Sequence, residues 1–521
     1  MESPWAPLRN RMFFILWVAQ LGSNIGTWMQ TVGAQWYLVE TGANPALISL
    51  VQTASLAPTL LLGLIAGVLA DAFNRRRLIL GSNLFAAGAG ILLTVIAAVG
   101  LLTPDALLLY TFLIGCGVAL SAPAWQAVTP ALVPWEQIRS AAALGSVAQN
   151  AARAIGPAVG GLLVSLAGPA FVFGINAVSF LGTALAVLIW RSAPGTPEDR
   201  ERVGEALAAG IRYIRAAPRI RRILLRCVMF MVPASALYAL LPVAVNGHLQ
   251  LGSSGYGLLL AALGTGAILG VVFLSRTRKV LHDNALLGLS AGVFAAGVFA
   301  AGYLPVLPLA ILLVLSGAAW INTFSTLNSA MQLTLPEWVR ARGLSVYLMV
   351  LTGTQAVGSL LWGSLATAYG YAPVLAASAV VLILVGLSIL VLPLLPRTGK
   401  LDRSVPEPEL ELEVETEPEP DEGPVTILVA YELDPDAVPD FLEAMQEVRL
   451  SRMRTGATVW ELVHSVTDAR EFREIYDVPT WREYMRQEHS RLTGEDRTNI
   501  QRAASMAVEE PRTRWFLPAS A

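Results

Sequence analysis

Apolar segments long enough to cross a membrane recur along most of this chain, and they limit the folds it can adopt. A helix of about 20 apolar residues spans the hydrocarbon core of a bilayer. The chain is 55% hydrophobic and only 14% charged, which is not the composition of a soluble protein. Twelve candidate spans cover 12–38, 45–69, 78–101, 105–130, 140–166, 170–190, 223–246, 255–275, 284–303, 306–333, 343–367 and 372–395. We therefore expect an all-α polytopic membrane protein with twelve transmembrane helices.

Lysine and arginine occur only in alternate loops. The loops near Thr41, Thr103, Gly168, Gly247, Leu304 and Gly370 contain none, and we call that side the arginine-poor end. The other side, the arginine-rich end, carries Arg75, Arg76, Arg77, Arg139, the 212–226 cluster, Arg276, Arg278, Lys279, Arg340 and Arg342. Because basic loops stay in the cytoplasm, we expect both termini to be cytoplasmic in a multi-pass protein of the cell (inner or plasma) membrane.

The two halves of the membrane region resemble each other. A shift of 202 positions aligns them without gaps, pairing Pro134 with Pro336 and Gly156 with Gly358. Such repeats are typical of transporters whose site lies between two six-helix bundles. We expect bundles at 1–190 and 223–396, joined by a cytoplasmic loop at 191–222. Within that loop, 205–215 predicts an amphipathic helix on the inner membrane face.

A charged residue interrupts the fifth span. Arg153 keeps its proton at membrane depth and costs roughly 2.5–3.5 kcal/mol there on insertion scales. It shares a helical face with Gln149 and with Gly145, Gly156 and Gly160, whose small size lets a neighbouring helix approach. Such an arginine either satisfies neighbouring carbonyls and locks a helix pair, or faces a water-filled path. We favour the second interpretation, which makes Gln149 and Arg153 candidate substrate-binding residues.

Polar side chains also follow one face of the first span at spacings of three and four. The candidates for substrate binding on this stripe are Gln20, Asn24, Trp28, Thr31 and Gln35. Such a stripe either hydrogen-bonds to neighbouring helices or lines an aqueous cavity. Its length and its mixture of amide and aromatic groups favour the cavity. The second repeat offers Tyr238 and Trp320 among other polar and aromatic residues, from which we select Asn322 and Gln355.

The loop after the second span resembles the signature loop of the major facilitator superfamily. It has Gly67, Asp71 and Arg75 at the signature spacing, with Asn74 where that family usually has glycine. Asparagine tolerates the left-handed conformation that such a turn needs. The resemblance implies a conformational latch of Gly67, Asp71 and Arg75, with Glu136 in the next basic loop as a further partner. In the family this latch breaks as the transporter changes state.

A second motif lies in the fifth span. Gly156-Pro157-x-x-Gly160-Gly161 resembles the motif that marks exporters within the superfamily. Together with Trp28-Met29-Gln30, Pro58 and Ala122-Pro123-Ala124, it is similar to the transmembrane secretion effector branch, which includes siderophore and macrolide exporters. The resemblance covers about residues 1–400. It implies a secondary active efflux transporter that works by alternating access and proton antiport.

The substrate should be a neutral or anionic amphiphile, such as a siderophore, a macrolide-like compound or a drug, because the buried charge is positive and the stripe is rich in amides. No acidic residue lies deep inside a span; the nearest are Glu40, Asp71, Asp105 and Asp283 at helix ends. Protons are therefore the expected coupling ions without a named carrier. A membrane-tethered enzyme and an importer of the same fold stay open as alternatives, but a mere anchor needs neither Arg153 nor an internal repeat.

After residue 396 the long apolar segments end and the composition becomes that of a soluble chain. We expect an acidic Pro/Glu-rich linker at 397–423 and a cytosolic ferredoxin-like α+β domain at 424–521. Predicted strands cover 425–432, 458–465, 471–477 and 513–517, and predicted helices cover 436–455 and about 480–506. The two helices should cover one sheet face. A second copy of the domain should cover the other face, to which Val429, Tyr431, Trp460 and Phe472 are expected to contribute.

This domain resembles the antibiotic-biosynthesis-monooxygenase type of dimeric α/β barrel. The likeness rests on Arg452, Arg454, Gly456, Ala457, Trp460, Trp481, Glu483, Arg486, Gln487, Arg491 and Thr493. His464 and His489 are the only candidates for acid–base chemistry in this domain, and the sequence shows no nucleophile–base pair or cofactor motif there. Cys116 and Cys227 lie inside spans and offer no metal spacing. We expect no enzyme, cofactor, metal or nucleic-acid partner. The expected partners are a small-molecule substrate, the bilayer, protons and a second copy of the domain.

Overall fold

The computed structural model describes residues 5–190, 203–396, 398, 401–405 and 418–518. Residues 191–202 and 406–417, which belong to the expected loop and linker, lie outside this range. The membrane region is a series of long helices. They are α1 (Arg11–Glu40), α2 (Pro45–Ala72), α3 (Arg75–Ala98), α4 (Pro104–Leu132), α5 (Ile138–Ile189), α6 (Val203–Ala216), α7 (Pro218–Asn246), α8 (Ser253–Val280), α9 (Asp283–Tyr303), α10 (Val306–Thr334), α11 (Glu337–Tyr369) and α12 (Tyr371–Leu387).

Ten segments within the described residues are long and apolar enough to cross a membrane. One of them, Trp135–Ile189, contains two spans, because α5 bends at Gly168, where φ is 80°. Helix α1 is not among the ten, and it is the helix that carries the polar stripe. With α1 and both halves of α5, the described region contains the twelve transmembrane helices that the sequence predicts. The polytopic all-α fold is therefore confirmed.

Local signals fix where these helices begin and turn. The side chains of Asn10, Asn44, Asn74 and Thr103 accept hydrogen bonds from backbone N–H groups of the first turn of α1, α2, α3 and α4. Such caps satisfy donors that have no partner within the helix. Asn74 thus caps α3 in the signature loop, with φ −62°. The left-handed conformation that its resemblance to glycine suggested is not used there.

The C-terminal domain has the predicted ferredoxin-like topology. Its elements are β1 (Val425–Glu432), α13 (Val438–Thr455), β2 (Val459–His464), β3 (Glu471–Val478), α14 (Trp481–Arg486), α15 (Gly494–Ala504) and β4 (Arg512–Phe516). The four strands form one sheet in the order β2-β3-β1-β4, and every neighbouring pair is antiparallel. This is the strand order that a β-α-β-β-α-β chain adopts in ferredoxin-like folds.

Two details of the domain differ from the sequence prediction. The last predicted helix is interrupted: α14 ends in a short π-helix (Gln487–Arg491), and α15 starts anew at Thr493. Thr493 and Asp496 form a capping box, which satisfies the free donors of a new helix start. The predicted content of the free sheet face was wrong, because Val429, Tyr431 and Phe472 lie in the core under the helices, with Trp460 packed against them.

The chain divides into two compact units. One comprises Met1–Thr196, Leu225–Leu327 and Ser345–Pro393, and the other comprises Pro197–Leu224, Asn328–Leu344 and Leu394–Ala521. We call the first the membrane unit and the second the C-terminal unit.

The C-terminal unit joins the domain to segments from the middle of the chain. Helix α6 packs against α13. Tyr213 of α6 is buried, and its ring packs edge-on against the indole of Trp338, with 5.6 Å between the ring centroids. The side of α6 that the sequence assigns to the membrane face therefore has a protein partner.

Candidate functional site

Arg153 lies in the first half of α5, before the bend at Gly168, between two tryptophans. Its guanidinium carbon is 5.6 Å from the ring centroid of Trp28 in α1 and 5.8 Å from that of Trp320 in α10. Among the described residues, no carboxylate forms an ion pair with it. Cation–π contacts attract a guanidinium but compensate its charge less completely than an anion does. The site thus holds a positive charge without a fixed negative partner in the described part of the protein.

An aromatic cluster holds Trp320 in place. The ring centroids of Tyr238, Phe294 and Phe230 lie 5.4, 5.8 and 6.1 Å from that of Trp320. Trp320 itself is 4% exposed. Its indole is therefore fixed by the second repeat while its face meets a cation from the first. The sequence offered Trp320 among other candidates, but its contact with Arg153 joins the two repeats, so it could not be predicted from either repeat alone.

A cavity of about 320 Å³ lies among α1, α4 and α5 of the first bundle. Its polar lining comes from Gln20, Asn24, Ser121, Gln126 and Gln149, and its aromatic lining from Phe13, Trp17 and Trp125. Gln20 donates a hydrogen bond to Asn24 (3.1 Å), whereas the buried Nδ2 of Asn24 has no partner in the described part. Gln149 is one helical turn from Arg153. Three of the predicted residues, Gln20, Asn24 and Gln149, are therefore brought together around one space.

The rest of the predicted stripe lies elsewhere. Thr31 donates to the carbonyl of Thr27 in its own helix (3.0 Å) and borders a smaller cavity of about 50 Å³. Gln35 is fully buried: it donates to the carbonyl of Tyr238 (3.2 Å) and accepts from the hydroxyl of Tyr256 (2.6 Å). Gln35 thus ties α1 to α7 and α8 near the arginine-poor end, and it does not border the larger cavity.

The two candidates from the second repeat have different surroundings. Asn322 is half-buried two residues from Trp320, and its Oδ1 is buried without a hydrogen-bond partner in the described residues. Gln355 is half-buried in α11 at the position that matches Arg153 in the repeat. An unpaired buried amide oxygen costs free energy unless something satisfies it. Asn322 is therefore a candidate to contact a bound molecule.

The exporter motif lets helices approach until their backbones touch. A Cβ atom on Gly156 would lie 2.6 Å from Cβ of Trp28, and one on Gly160 would lie 2.8 Å from Cα of Met29. These two glycines therefore hold α5 against α1, and Gly156 places Trp28 beside Arg153. Since real Cβ contacts below 3 Å essentially never occur, the motif has a steric reason at both positions.

The same helix meets the second repeat through glycine. A Cβ on Gly161 would lie 2.9 Å from Cα of Gly257 in α8, and the carbonyl of Pro157 faces Gly257 from the other side. Deeper in the bundle, a Cβ on Gly264 would lie 2.5 Å from Cα of Ala154 and 2.7 Å from the carbonyl oxygen of Arg153. The contact between α5 and α8 thus runs from the arginine-poor end to the level of Arg153.

Hydrogen bonds also join α2 and α11 toward the arginine-poor end. The backbone N–H of Ala46 donates to Oγ1 of Thr367 (3.0 Å), and Oγ1 of Thr53 donates to the carbonyl of Ala356 (2.9 Å). Together with the contacts of Gln35, these bonds connect the two bundles on the side away from the basic loops.

The latch remains a prediction. The side chain of Asp71 lies outside the described part of the structure, although its backbone is the end of α2. Arg75 is exposed at the start of α3, and Glu136 is exposed in the turn Trp135–Gln137. Gly67 has open space where a Cβ would be.

The polar residues of the C-terminal domain core pair with one another. Glu474 accepts hydrogen bonds from Trp460 (2.9 Å), Arg452 (3.2 Å) and Tyr431 (3.2 Å). His464 and His489 are both exposed. Burial raises the pKa of the Glu488 carboxyl, against the lowering effect of Arg452. In this cluster the charged groups satisfy each other, which is the arrangement of a structural core.

Comparison with known proteins identifies the family. The profile of the transmembrane secretion effector family matches residues 2–520. The enterobactin exporter EntS of Escherichia coli O1:K1 / APEC is 29% identical over 311 residues, which cover 58% of this chain and 72% of the exporter. The same exporter from Shigella boydii serotype 18 (strain CDC 3083-94 / BS512) matches with the same identity and coverage.

Solved structures show the same fold. A bacterial homolog of the human lysosomal transporter Spinster, in an inward-facing and unoccupied conformation, superposes with a TM-score of 0.61 at 15% identity over 77% of this chain and 99% of its own. The nucleoside transporter NupG gives 0.60 at 13% identity over 73% and 99%. The fold has twelve spans in two repeats, and its exporter motif is in close contact with α1 and α8. Together with the profile match across nearly the whole sequence, this shows that the chain belongs to the transmembrane secretion effector family of membrane transporters.

Proposed function

We propose that this protein is a secondary active efflux transporter that exports a neutral or anionic amphiphilic small molecule by alternating access. The observation that carries the proposal is Arg153, a cation between Trp28 and Trp320 beside a cavity lined by amides and aromatic rings. A charge at membrane depth is retained at a cost, and it marks a substrate path by default. The enterobactin exporters among its relatives make a siderophore the first cargo to test.

The proposal includes an orientation. Basic loops favour the cytoplasm, so both termini and the arginine-rich end face inward in the cell membrane. Contacts at Gln35, Ala46 and Thr53 join the bundles at the other end. A site closed outward and approached from inside is the state in which an exporter loads its cargo.

Proton antiport is the proposed source of energy. The only acidic residue that the sequence places within a span is Asp105, at the start of α4, and Glu40 at the end of α1 accepts a hydrogen bond from Trp36 (2.8 Å). A proton carrier therefore has to be one of the carboxylates at the helix ends or the substrate itself. Collapse of the pH gradient tests the coupling without naming the carrier.

The C-terminal domain is proposed to act in assembly rather than catalysis. Its buried ion pairs satisfy one another, while its free sheet face exposes Val459, Val463 and Phe516. Self-association through this face would cover them. Light scattering of the full-length protein in detergent tests it: a dimer that Phe516→Asp converts to a monomer supports the proposal, and a monomeric wild type contradicts it.

The central experiment uses inside-out vesicles that carry the full-length protein. Uptake of enterobactin and of a panel of neutral, anionic and cationic amphiphiles is measured with the pH gradient intact and collapsed. Uptake that depends on the gradient and is absent with Arg153→Ala supports efflux by proton antiport. Transport only in right-side-out vesicles would identify an importer, and no transport of any compound would contradict the proposal.

A further inference from the structure

We propose that Trp320 is a specificity-determining residue that holds Arg153 while the site is empty and releases it to an acidic group on the substrate. This inference rests on the proposed function. It narrows the substrate class from neutral or anionic compounds to acids, and it gives the acid a second task, which is to break a contact between the two bundles.

The first step is the incomplete compensation of Arg153. Its guanidinium faces two indole rings at 5.6 and 5.8 Å, and no described carboxylate forms an ion pair with it. A planar guanidinium fits a carboxylate or another oxyanion in a bidentate manner, which an indole face cannot reproduce. An acid that reaches Arg153 therefore competes successfully with the indoles for the guanidinium.

The second step concerns which group moves. Trp320 is buried and contacts Tyr238, Phe230 and Phe294. Its indole cannot follow the guanidinium without disrupting that cluster. Arg153 is half-buried and has a long, flexible side chain. When an acid binds, the guanidinium turns toward the acid while Trp320 stays, so the contact between them breaks.

The third step places the acid. Gln149, Gln20 and Asn24 border the cavity one helical turn from Arg153 and Trp28, and Nδ2 of Asn24 is a buried donor without a partner in the described residues. Trp17 and Trp125 give the same cavity apolar walls. A molecule with an apolar ring and a single acidic group fits this arrangement, with the ring between the tryptophans and the acid at Arg153.

The consequence is a link between occupancy and conformation. Arg153 belongs to the first repeat and Trp320 to the second, so their contact favours the empty, joined arrangement. A ligand shifts an equilibrium only by its different affinity for the two states. An acid that replaces the contact supplies that difference, whereas a neutral analogue of the same shape does not.

The test measures binding of two matched compounds to the full-length protein in nanodiscs. Radiolabelled 2-naphthoate and 2-naphthamide share their ring system and differ in charge. The wild type should bind the acid more tightly than the amide. Trp320→Leu should bind the acid about fivefold more tightly than the wild type, the ratio expected when a competing cation–π contact is removed. Trp320→Phe, which keeps a weaker ring, should lie between them, and amide binding should not change.

A matched control separates this role from packing. Phe324→Leu removes a ring of the same helix that packs on Tyr347 (6.4 Å between ring centroids) and is not among the three rings described around Trp320, so it should leave acid binding unchanged. In proteoliposomes, Trp320→Leu should export the acid more slowly than the wild type although it binds the acid more tightly. A loss of packing alone would not produce tighter binding together with slower efflux.

Several results would overturn the inference. If the wild type bound the acid and the amide with equal affinity, an acidic group would not be required. The same conclusion would follow if the protein bound neither compound but transported a larger neutral cargo. In both cases efflux itself would stand. Weaker acid binding by both Trp320 variants would show that Trp320 is an ordinary contact. The absence of efflux of every compound would instead reject the proposed function and this inference with it.

Discussion

Arg153 of the membrane unit and the buried arginines of the C-terminal unit have opposite surroundings. Arg153 has two indoles and, among the described residues, no carboxylate partner. In the C-terminal unit, Arg491 contacts Glu483 at 2.8 Å and lies 4.9 Å from the ring of Trp338, and Arg454 contacts Asp496 at 2.5 Å. Arg454 and Arg491 are buried and Arg153 is half-buried, so burial differs only in degree and does not set their roles. The presence of a fixed anion does.

The difference shows how to distinguish an arginine that stabilises the fold from one that is available to exchange binding partners. Breaking a buried ion pair leaves the other charge unpaired, so such a pair holds its surroundings in one geometry. Arg491 and Glu483 do this for segments far apart in sequence, since Arg212 of α6 also contacts Glu483 at 3.4 Å. A cation without a fixed anion can instead exchange partners. We therefore expect substitutions in the two regions to affect different measurements.

The largest expected effect is on transport, from Arg153→Ala. Efflux should fall at least about 100-fold, the loss that corresponds to about 3 kcal/mol when a buried charge contact to a ligand is removed. Arg153→Lys should recover little, because an ammonium lacks the planar fork. Vesicle efflux at matched expression measures this, with the exposed Arg221→Ala as control. Near-normal efflux by a well-inserted Ala variant would show that Arg153 has only a structural role, and the proposed difference from the arginines of the C-terminal unit would be wrong.

The next effect is on stability, from Arg491→Ala. Removing one partner of a buried pair should lower the free energy of unfolding of the C-terminal unit by about 3–5 kcal/mol, while the affinity of the membrane unit for substrate stays unchanged. Arg473 forms an exposed pair with Glu471, so Arg473→Ala should cost less than about 1 kcal/mol. Hydrogen exchange of residues 418–518 in the full-length protein measures both. Equal effects of the two variants would refute the distinction between the pairs.

The smallest of the three effects appears on acidification. Burial raises the pKa of Asp496, but Arg454 and Thr493 lower it by more, and hydrogen bonds and ion pairs to Arg491 and Arg486 have the same net effect on the pKa of Glu483. Carboxyls whose folded pKa lies below the unfolded value stabilise the fold above about pH 4–5 and lose that contribution as pH falls.

Exchange protection of residues 418–518 should therefore be constant from about pH 8 to 5 and fall below about pH 4. Glu488, whose pKa burial raises, opposes this change. Asp496→Asn should lower protection at neutral pH and flatten its dependence on pH. A loss of protection that begins above pH 6 would point to other groups.

Much of the fold could be predicted from residue patterns, because membrane helices and strands leave local signals. The apolar periods and the asparagine caps at Asn10, Asn44 and Asn74 mark helix starts within a few residues. The period of two in β1 gave Val425–Glu432 as the structure has it. The break before α15 also had a local signal, the Thr493 and Asp496 capping box, which the helical pattern around it obscured.

The sequence pattern could not predict which partner covers each face of a strand or helix. Alternation shows that β1 has two faces but not which one the helices cover, so Tyr431 and Phe472 were assigned to the wrong side. The amphipathic α6 was likewise assigned to a lipid surface, whereas Tyr213 meets Trp338. In the site, the stripe on α1 identified Gln20 and Asn24. The pairing of Arg153 with Trp320 depends on how two repeats meet, and no local signal encodes it.

The C-terminal unit has a consequence for how the protein is made. Its parts are synthesised at three separate times, because α6, the 328–344 segment and the domain lie far apart in the chain. At 5–20 residues per second, Tyr213 and Trp338 emerge on the order of ten seconds or more before Arg491 and its ion-pair partner. During that interval α6 lacks α13, the helix against which it packs. A ribosome that stops before the last hundred residues would release a chain with all its spans and an α6 that has lost this partner.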